Sequence, residues 1–182
     1  MPAFPLEVVT PEQALFSGVA QALVLRSTAG DMTVLDGHTS LVAGVEPGDV
    51  RIDMEDGSTV HLAVHGGFLQ VDTSPGAAEG APGPGSPAGA GPAGESPVRG
   101  LSTRVTLLAG IAELADRIDV ARARRAKEES DARLAELGGP AALERPAASE
   151  GGATDERALE AAEVAAASAR AALRLQVAGE GG

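Results

Sequence analysis

The sequence predicts an α+β protein in two parts, an N-terminal antiparallel β domain followed by a C-terminal α-helical hairpin. Before residue 110, several short segments alternate apolar with polar residues, which is the period of half-buried strands. After Asp119 the apolar spacing changes to three and four residues, which is the period of a helix. All three Phe lie before residue 70, whereas alanine is concentrated at the end of the chain. The two parts therefore differ in composition as well as in period.

The first strands flank a turn-rich stretch. We expect one strand at Leu6–Thr10, ended by Pro11, and a second at Leu15–Arg26, whose run VAQALVL indicates a strand covered on both faces. From Thr28 to Arg51, glycines, acidic residues and Pro47 separate short apolar pieces. This pattern predicts tight turns around an apolar crossing.

Later strands follow the same alternation. Three apolar residues at alternate positions predict a strand in each of two segments, 50–54 and 60–64, and Asp56-Gly57 between them predicts a tight hairpin. Two further strands are expected at Phe68–Asp72 and Val105–Leu108. Gly66-Gly67 marks a bend or bulge. The β domain is therefore expected to span residues 1–110.

Residues 73–103 interrupt this domain with a stretch made almost wholly of Gly, Pro, Ala and Ser. It has no periodicity and too few large apolar groups to offset the entropy of ordering, so we expect a disordered insertion. The entropy of loop closure grows only logarithmically with length, so such an insertion can be accommodated within a hairpin.

Residues 111–182 are expected to form the helical hairpin. Its helix-period positions are Val120, Ala123, Lys127, Ser130, Leu134 and Leu137, then Leu159, Ala162, Ala166, Ala169 and Leu173. Gly138-Gly139-Pro140 predicts the end of the first helix, and a second is expected from Asp155, after a Gly/Pro-rich connection at 138–153. An alanine methyl buries little area, so this hairpin is either a movable arm or a stable accessory element.

Composition excludes several classes of function. A formal net charge of -12 argues against nonspecific binding to nucleic acid, which needs clustered Lys and Arg. The absence of Cys excludes disulfides and thiolate metal sites. We expect a soluble or peripheral protein, because the sequence has neither a signal peptide nor an apolar stretch of about 20 residues.

No arrangement of residues indicates a catalytic or metal site. His61 and His65 share one side of a predicted strand but supply two ligands at most, without a convincing third. Gly89–Gly94 matches the GxGxxG pattern, yet no strand precedes it and no helix follows it. A nucleophile elbow is also missing.

Two places remain as candidates for binding. His38, in a turn with Asp36 and after Asp31, is either a surface residue or a contact for a partner, because loops on rigid scaffolds commonly carry recognition. Asp119 is a good N-cap that Arg122 could pair with, which gives these residues a purely structural role. Alternatively, Glu113, Asp119 and Arg122 line an anion or nucleotide site.

Five segments, in this order, resemble the epsilon subunit of bacterial F-type ATP synthase: VVTPEQALFSG, GDMTVLDGHTSLVAGVEPGDVRI, HLAVHGGFLQV, VTLLAG and IDVARA. The resemblance implies an antiparallel β-sandwich of about ten strands with a C-terminal α-helical hairpin. It also implies a non-catalytic rotor subunit that bridges the gamma subunit and the c-ring and couples proton flow to ATP synthesis. In the family the hairpin can extend toward the alpha and beta subunits and inhibit ATP hydrolysis. The complex lies at the cytoplasmic face of the cell membrane, where this subunit is peripheral.

The resemblance also implies particular residues. Asp31 and His38 match the acidic residue and the histidine of the family loop that lies near the c-ring. Some members bind a regulatory ATP through an (I/L)DxxRA motif, which matches Ile118, Asp119, Arg122 and Ala123, with Glu113 at a further matching position. Arginines from the second helix also take part, and Arg157, Arg170 and Arg174 are available here. The family implies no metal and no required cofactor apart from this regulatory ATP.

A free-standing nucleotide sensor is the alternative function. In this hypothesis a β domain and a helical arm close on a nucleotide outside any larger complex.

Overall fold

The computed structural model describes residues 2–75, 101–139 and 152–180. Its seven strands are β1 (Phe4–Val9), β2 (Ala14–Ser27), β3 (Gly30–Leu35), β4 (Leu41–Met54), β5 (Thr59–Pro75), β6 (Leu101–Ala109) and β7 (Ala112–Leu114). A 3-10 turn at Ala115–Arg117 leads into two helices, α1 (Val120–Glu136) and α2 (Gly152–Glu180). The predicted order of a β domain followed by two helices is confirmed.

Five of the strands close into a ring. Neighbours pair in the order β1, β6, β5, β4, β2, and β2 pairs back with β1. The β1–β6 pair is parallel and the other pairs in the ring are antiparallel. Within the described residues, β3 pairs with β2 and β7 pairs with β5. β3 therefore forms an edge beside the closed ring.

The described parts of the chain contain seven strands rather than about ten, because three of the strands are long. β2 and β4 have 14 residues each and β5 has 17. A long strand changes partners along its length: Leu62–Val64 of β5 pairs with β7, while residues 67–75 pair with β6. Different parts of one continuous strand therefore pair with different neighbours, as two shorter strands would.

The interior is filled by alternate residues of these strands. β1 shows the alternation clearly, with Phe4, Leu6 and Val8 fully buried and the residues between them exposed. Burying a Leu, Phe or Val side chain contributes about 1.5–3 kcal/mol each. The run VAQALVL of β2 is covered less than expected, since Val19 is 43% exposed while Leu23 and Leu25 are buried.

Glycines lie at one predicted turn and at the bend or bulge predicted for Gly66-Gly67, which falls within β5. Gly57 has a φ of 83° in a tight turn where the Met54 N–H donates to the Ser58 carbonyl at 2.8 Å, so the hairpin at Asp56-Gly57 is confirmed. At Gly67 an added Cβ would lie 2.1 Å from the Leu108 carbonyl oxygen. Close approach of two strands therefore requires glycine there.

The turn predicted around Pro47 is wrong, because β4 runs straight through it. Pro47 pairs with His65 of β5, whose N–H donates instead to the Ile111 carbonyl at 2.9 Å. On the other side, the β2–β4 ladder is irregular between Val24 and Ser27. Pro47 therefore lies where the hydrogen bonding on both sides of β4 departs from the regular ladder, which is where a sheet tolerates a residue without an N–H.

The two low-complexity stretches lie mostly outside the described residues. Thr73 still pairs with Thr103 and Pro75 with Leu101, so the β5–β6 ladder continues into both ends of the expected insertion. Residues 76–100 are outside the description, as are residues 140–151 of the connection expected at 138–153. Residues 112–114 add a strand beyond residue 110, so the sheet continues into the segment expected to begin the hairpin.

The helices run antiparallel and dock on the sheet by one end of α2. Asp119 caps α1, with its Oδ1 accepting from the Arg122 N–H at 2.9 Å, and Gly138 follows the helix with a φ of 111°. Both predicted ends of α1 are confirmed. Near the end of α2, Val177 is fully buried against Ala63 of β5 and Ile118.

Candidate functional site

The turn that contains His38 (residues 36–40, the β3–β4 turn) is tied to the ends of β5 and β6. The Gly37 N–H donates to Thr103 Oγ1 at 2.7 Å, and the Thr73 N–H donates to Ser40 Oγ at 2.8 Å. The Thr73 hydroxyl also donates to the His38 carbonyl. These bonds hold the turn to the sheet by two backbone groups and the Ser40 hydroxyl, and the His38 ring is half-buried at the surface.

Asp31 lies at the other end of β3. Its side chain is 84% exposed, and its nearest charged partner is Arg26, at 3.9 Å from Nη1 to Oδ1. Arg26 is shared with Glu46, whose Oε2 lies 3.2 Å from Nε. Four residues of strand, about 13 Å, separate Asp31 from Leu35, where the turn to His38 begins. The structure thus places Asp31 at the start of the edge strand β3 and His38 in the turn after its end, without bringing them into contact.

The residues of the IDVARA segment occupy the junction between sheet and helices. Ile118 is 8% exposed and packs on Ala63 and Val177, and Ala123 is 3% exposed. Asp119 is the N-cap of α1, and the Arg122 side chain is exposed on its first turn. Three of the four residues therefore have structural roles, whereas the guanidinium of Arg122 faces solvent.

Glu113 and Arg174 form an ion pair across this junction. Glu113 Oε1 accepts from Arg174 Nε at 2.7 Å and from Nη2, and the two side chains are 34% and 29% exposed. These residues are 61 positions apart in sequence. An anion at this place could use Arg174 only by displacing the Glu113 carboxylate.

His65 lies beside this ion pair. Its side chain is half-buried, and its Nε2 is buried without a hydrogen-bond partner among the described residues. Burial lowers the pKa of His65, as does repulsion from Arg174 and Arg170, while Glu113 opposes the shift. From the sequence, His65 is expected to be a strand residue and a weak candidate for a metal ligand. Its neighbours Arg170 and Arg174 on α2 could not be inferred from the sequence.

A groove of about 840 Å³ runs between the helices, away from this junction. Its charged residues are Glu129, Arg133, Glu136, Glu163 and Arg170. Of the residues proposed from the resemblance, only Arg170 lines it. The groove carries acidic groups on both walls, which disfavours a triphosphate.

The remaining histidine, His61, pairs with a carboxylate. Its Nδ1 lies 2.9 Å from Asp49 Oδ2, with both side chains about one-fifth exposed. Across residues 2–75, 101–139 and 152–180 there is no group of three His, Cys, Asp or Glu placed to hold a metal ion.

An exposed apolar surface, which the sequence did not indicate, covers the outside of three neighbouring strands. Its members are Val42 of β4, Phe68 of β5 and Leu108 of β6, which are 72%, 62% and 47% exposed; we call them the outer apolar patch. Phe68 and Leu108 are directly opposite in the ladder. A groove of about 630 Å³, lined by both side chains and by Val9, lies next to it. The signal in the sequence was the placement of Phe68 in phase with Gln70 and Asp72 rather than with the buried Leu69 and Val71.

Neither described helix has the combination of length and hydropathy needed to cross a bilayer.

A family model and two curated relatives that match this chain are from ATP synthase. The family model for "ATP synthase, Delta/Epsilon chain, beta-sandwich domain" matches residues 3–74. The ATP synthase epsilon chain of Streptomyces griseus is 36% identical over 123 residues, covering 68% of this chain and 76% of the relative. The corresponding protein of Brevibacillus brevis is 33% identical over 136 residues, covering 75% and 81%.

One solved structure shares the fold. It is a chain in the cryo-EM structure of Euglena gracilis mitochondrial ATP synthase, described as OSCP/F1/c-ring in rotational state 1. The TM-score is 0.51 with 21% sequence identity, and the match covers 91% of this chain and 82% of that one.

Proposed function

The chain belongs to the family of ATP synthase epsilon chains, and on this basis we propose that it is the non-catalytic central-stalk subunit of an F-type ATP synthase. In this role it couples proton flow through the c-ring to ATP synthesis in the catalytic head, at the cytoplasmic face of the cell membrane. The observation that carries the proposal is that this chain is 36% identical to an ATP synthase epsilon chain over 76% of that relative's length.

The edge of the β domain formed by β3 is proposed to meet the c-ring. The β3–β4 turn supports this role, because hydrogen bonds to Thr73 and Thr103 fix it while the half-buried His38 ring lies at its surface, with Nδ1 2.9 Å from the Thr39 carbonyl oxygen. Asp31, 84% exposed at the other end of β3, adds a second contact. A rigid contact is what transmission of torque needs.

Alanine substitution of Asp31 and His38 tests the contact with the ring. Proton-driven ATP synthesis by the reconstituted complex should fall in the double variant, and Glu55→Ala, in the exposed β4–β5 turn, serves as the control. Unchanged synthesis in the double variant would place the ring contact elsewhere.

The outer apolar patch is proposed to bind the gamma subunit. Three large apolar side chains, side by side on adjacent strands, favour a protein partner over water. Aromatic residues at the centre of such patches often contribute most of the binding energy. Phe68→Ala should weaken capture of gamma by about tenfold or more, whereas Val19→Ala, 43% exposed on β2, should leave it unchanged. Equal capture by both variants would overturn this assignment.

The helical hairpin is proposed to act as a brake on ATP hydrolysis when it leaves the β domain and reaches the alpha and beta subunits. Its small contact with the sheet, built around Val177, supports a reversible attachment. The test compares ATPase activity of the whole complex with and without the helices. Truncation after Arg117 is the better variant, because it keeps β7, which pairs with β5. A rise in hydrolysis establishes the brake, and no change leaves only the coupling role.

Regulatory ATP is proposed to bind at the junction of Glu113, Ile118, Asp119, Arg122 and Ala123. The exposed guanidinium of Arg122 supports this, and Arg174 becomes available if the nucleotide displaces Glu113. Calorimetry should detect ATP binding that Arg122→Ala abolishes and that Arg124→Ala, also exposed on α1, preserves. Absence of heat at millimolar ATP would remove this site.

Copurification separates the rotor role from that of a free nucleotide sensor. Membranes solubilised in mild detergent should yield the chain together with gamma and c subunits. Recovery of the chain alone, combined with ATP binding, would favour the sensor.

A further inference from the structure

His65 stands where the end of α2 docks on the sheet. It lies on β5, beside the buried pair Ala63 and Val64, and its backbone N–H donates to the Ile111 carbonyl at 2.9 Å. The buried contact of Val177 with Ala63 is two residues away along the same strand. A change at this imidazole therefore acts on the contact that holds the hairpin.

The charged groups around His65 come from two elements. Arg170 and Arg174 face it from α2 and Glu113 faces it from β7, while its partner across the ladder on β4 is the uncharged Pro47. Glu113 is already bonded to Arg174. The imidazole of His65 therefore has two guanidiniums as charged neighbours, together with one carboxylate that is already bonded to Arg174.

Protonation is costly in this setting for two reasons. The imidazolium must donate from both ring nitrogens, yet Nε2 is buried without a partner among the described residues. The new charge would also lie beside two guanidiniums in a partly desolvated site. When α2 leaves the sheet, Arg170 and Arg174 leave with it, and water reaches the ring.

We propose that protonation of His65 releases α2 from the β domain, so that the helical hairpin is an arm detached by mild acid. The neutral ring permits docking, and the charged ring disfavours it. The release is a property of the chain itself, whereas any effect on ATP hydrolysis rests on the function proposed above.

The direction of the pH dependence follows from linkage. Burial and the arginines depress the pKa of His65 in the docked state, and in the released state it returns toward its ordinary value of about 6.5. Docking is therefore at full strength above about pH 6.5 and weakens as the pH falls below it toward the docked value. Within that window, the ratio of released to docked hairpin rises by up to about tenfold per pH unit.

Spin labels can measure this release, because the sequence contains no Cys to interfere. Glu55→Cys in the β4–β5 turn and Ala162→Cys on α2 are both at exposed positions. Distances between the two labels should form a narrow distribution at pH 8 and gain a broad component at pH 5.5. A distribution that stays narrow at pH 5.5 overturns the proposal.

Substitutions at His65 assign the effect to this ring. His65→Gln keeps a neutral polar side chain, so the distance distribution should remain narrow at both pH values. His65→Lys carries a fixed charge, so its distance distribution should be broad at both pH values. His38→Gln, far from α2 on the β3–β4 turn, should behave as the unsubstituted chain. The same pH dependence in His65→Gln would contradict the proposal.

A second measurement uses the unsubstituted chain and so does not depend on whether a His65 variant folds. The imidazole signal of His65 and the methyl signals of Val177 can be followed by NMR through the same titration. They should move with one shared midpoint below pH 6.5. Separate midpoints would show that protonation and release are independent, and the proposal would be wrong.

Discussion

The β domain and the helical hairpin are stabilised by different means. Among the described residues, the fully buried Phe, Leu and Ile side chains, such as Phe4, Leu6 and Ile52, all belong to the β domain. In the described parts of α1 and α2, the buried residues are three alanines and Val177. Because stabilisation grows with the apolar area removed from water, the β domain supplies its own core and the hairpin does not. A segment held this lightly can change position without unfolding its neighbour.

Polar contacts within α1 and between the two helices do not remove this difference. Arg133 bridges Glu136 and Glu160, and Asp131 accepts from Lys127 and Ser168. These side chains are largely exposed, and exposed ion pairs contribute about 0–1 kcal/mol each. These contacts therefore affect the alignment of α1 and α2 more than the stability of the helical hairpin.

The comparison is tested most severely by truncating one leucine in each region. Leu62 of β5 is fully buried, so Leu62→Ala should lower the free energy of unfolding by about 2–5 kcal/mol. Leu159 of α2 is 67% exposed, so Leu159→Ala should change it by less than about 0.5 kcal/mol. Urea unfolding followed by circular dichroism measures both. Similar losses would show that the hairpin has a core comparable to that of the β domain.

A pair of glycines gives a smaller effect. At Gly67 a Cβ would meet the Leu108 carbonyl oxygen, so Gly67→Ala must separate β5 from β6 and should cost about 1–3 kcal/mol. An added Cβ at Gly110 meets nothing within 4 Å, so Gly110→Ala should be nearly neutral. Thermal unfolding distinguishes them. A neutral Gly67→Ala would mean that the sheet is less tightly built than the comparison requires.

Docking of the hairpin is tested at Val177. Val177→Ala removes two buried carbons and should weaken docking by about 1.5 kcal/mol, while the β domain remains folded. Hydrogen exchange should then lose protection in the last turns of α2 but not in the middle of β5. Val120→Ala, at a residue 41% exposed on α1, is the matched control. Loss of protection throughout β5 would show that the two regions unfold as one unit.

The periods of the sequence account for the order and type of the elements, but the predicted helix-period positions Val120 and Leu159 are exposed and not buried. Alternation places the strands around Ile52, Leu62 and Leu69, and Asp119 and Gly138 mark the ends of α1, because these signals act within a few residues. The strand count and the continuation of β4 through Pro47 could not be predicted. Both depend on partners distant in sequence, namely β6 and β7, which pair with different parts of β5, and Ile111, whose carbonyl accepts from the N–H of His65 opposite Pro47.

The same distinction applies to the candidate sites, since some could be located from the sequence and others could not. Residues of the IDVARA segment could be located because they are contiguous, whereas the Glu113–Arg174 pair and its neighbour His65 come together only when α2 docks. The outer apolar patch was missed for a related reason. Val42, Phe68 and Leu108 lie on three strands, and one exposed apolar residue in each strand is unremarkable until the strands are paired.

The smallest effect is expected from the contacts between the helices. Hydrogen bonds from Lys127 and then Ser168 lower the pKa of Asp131, so its contribution is present above the ordinary carboxylate value of 3.8 and is lost as the pH falls below it. Asp131→Asn should slightly lower the thermal stability of the helices at pH 7, and at pH 3 the two proteins should melt alike. Asp116→Asn, in the exposed turn before α1, controls for the change of charge. A large loss of stability at pH 7 would mean that polar contacts hold the hairpin as firmly as apolar burial holds the β domain. The two regions would then differ in the kind of interaction that stabilises them and not in the amount of stabilisation.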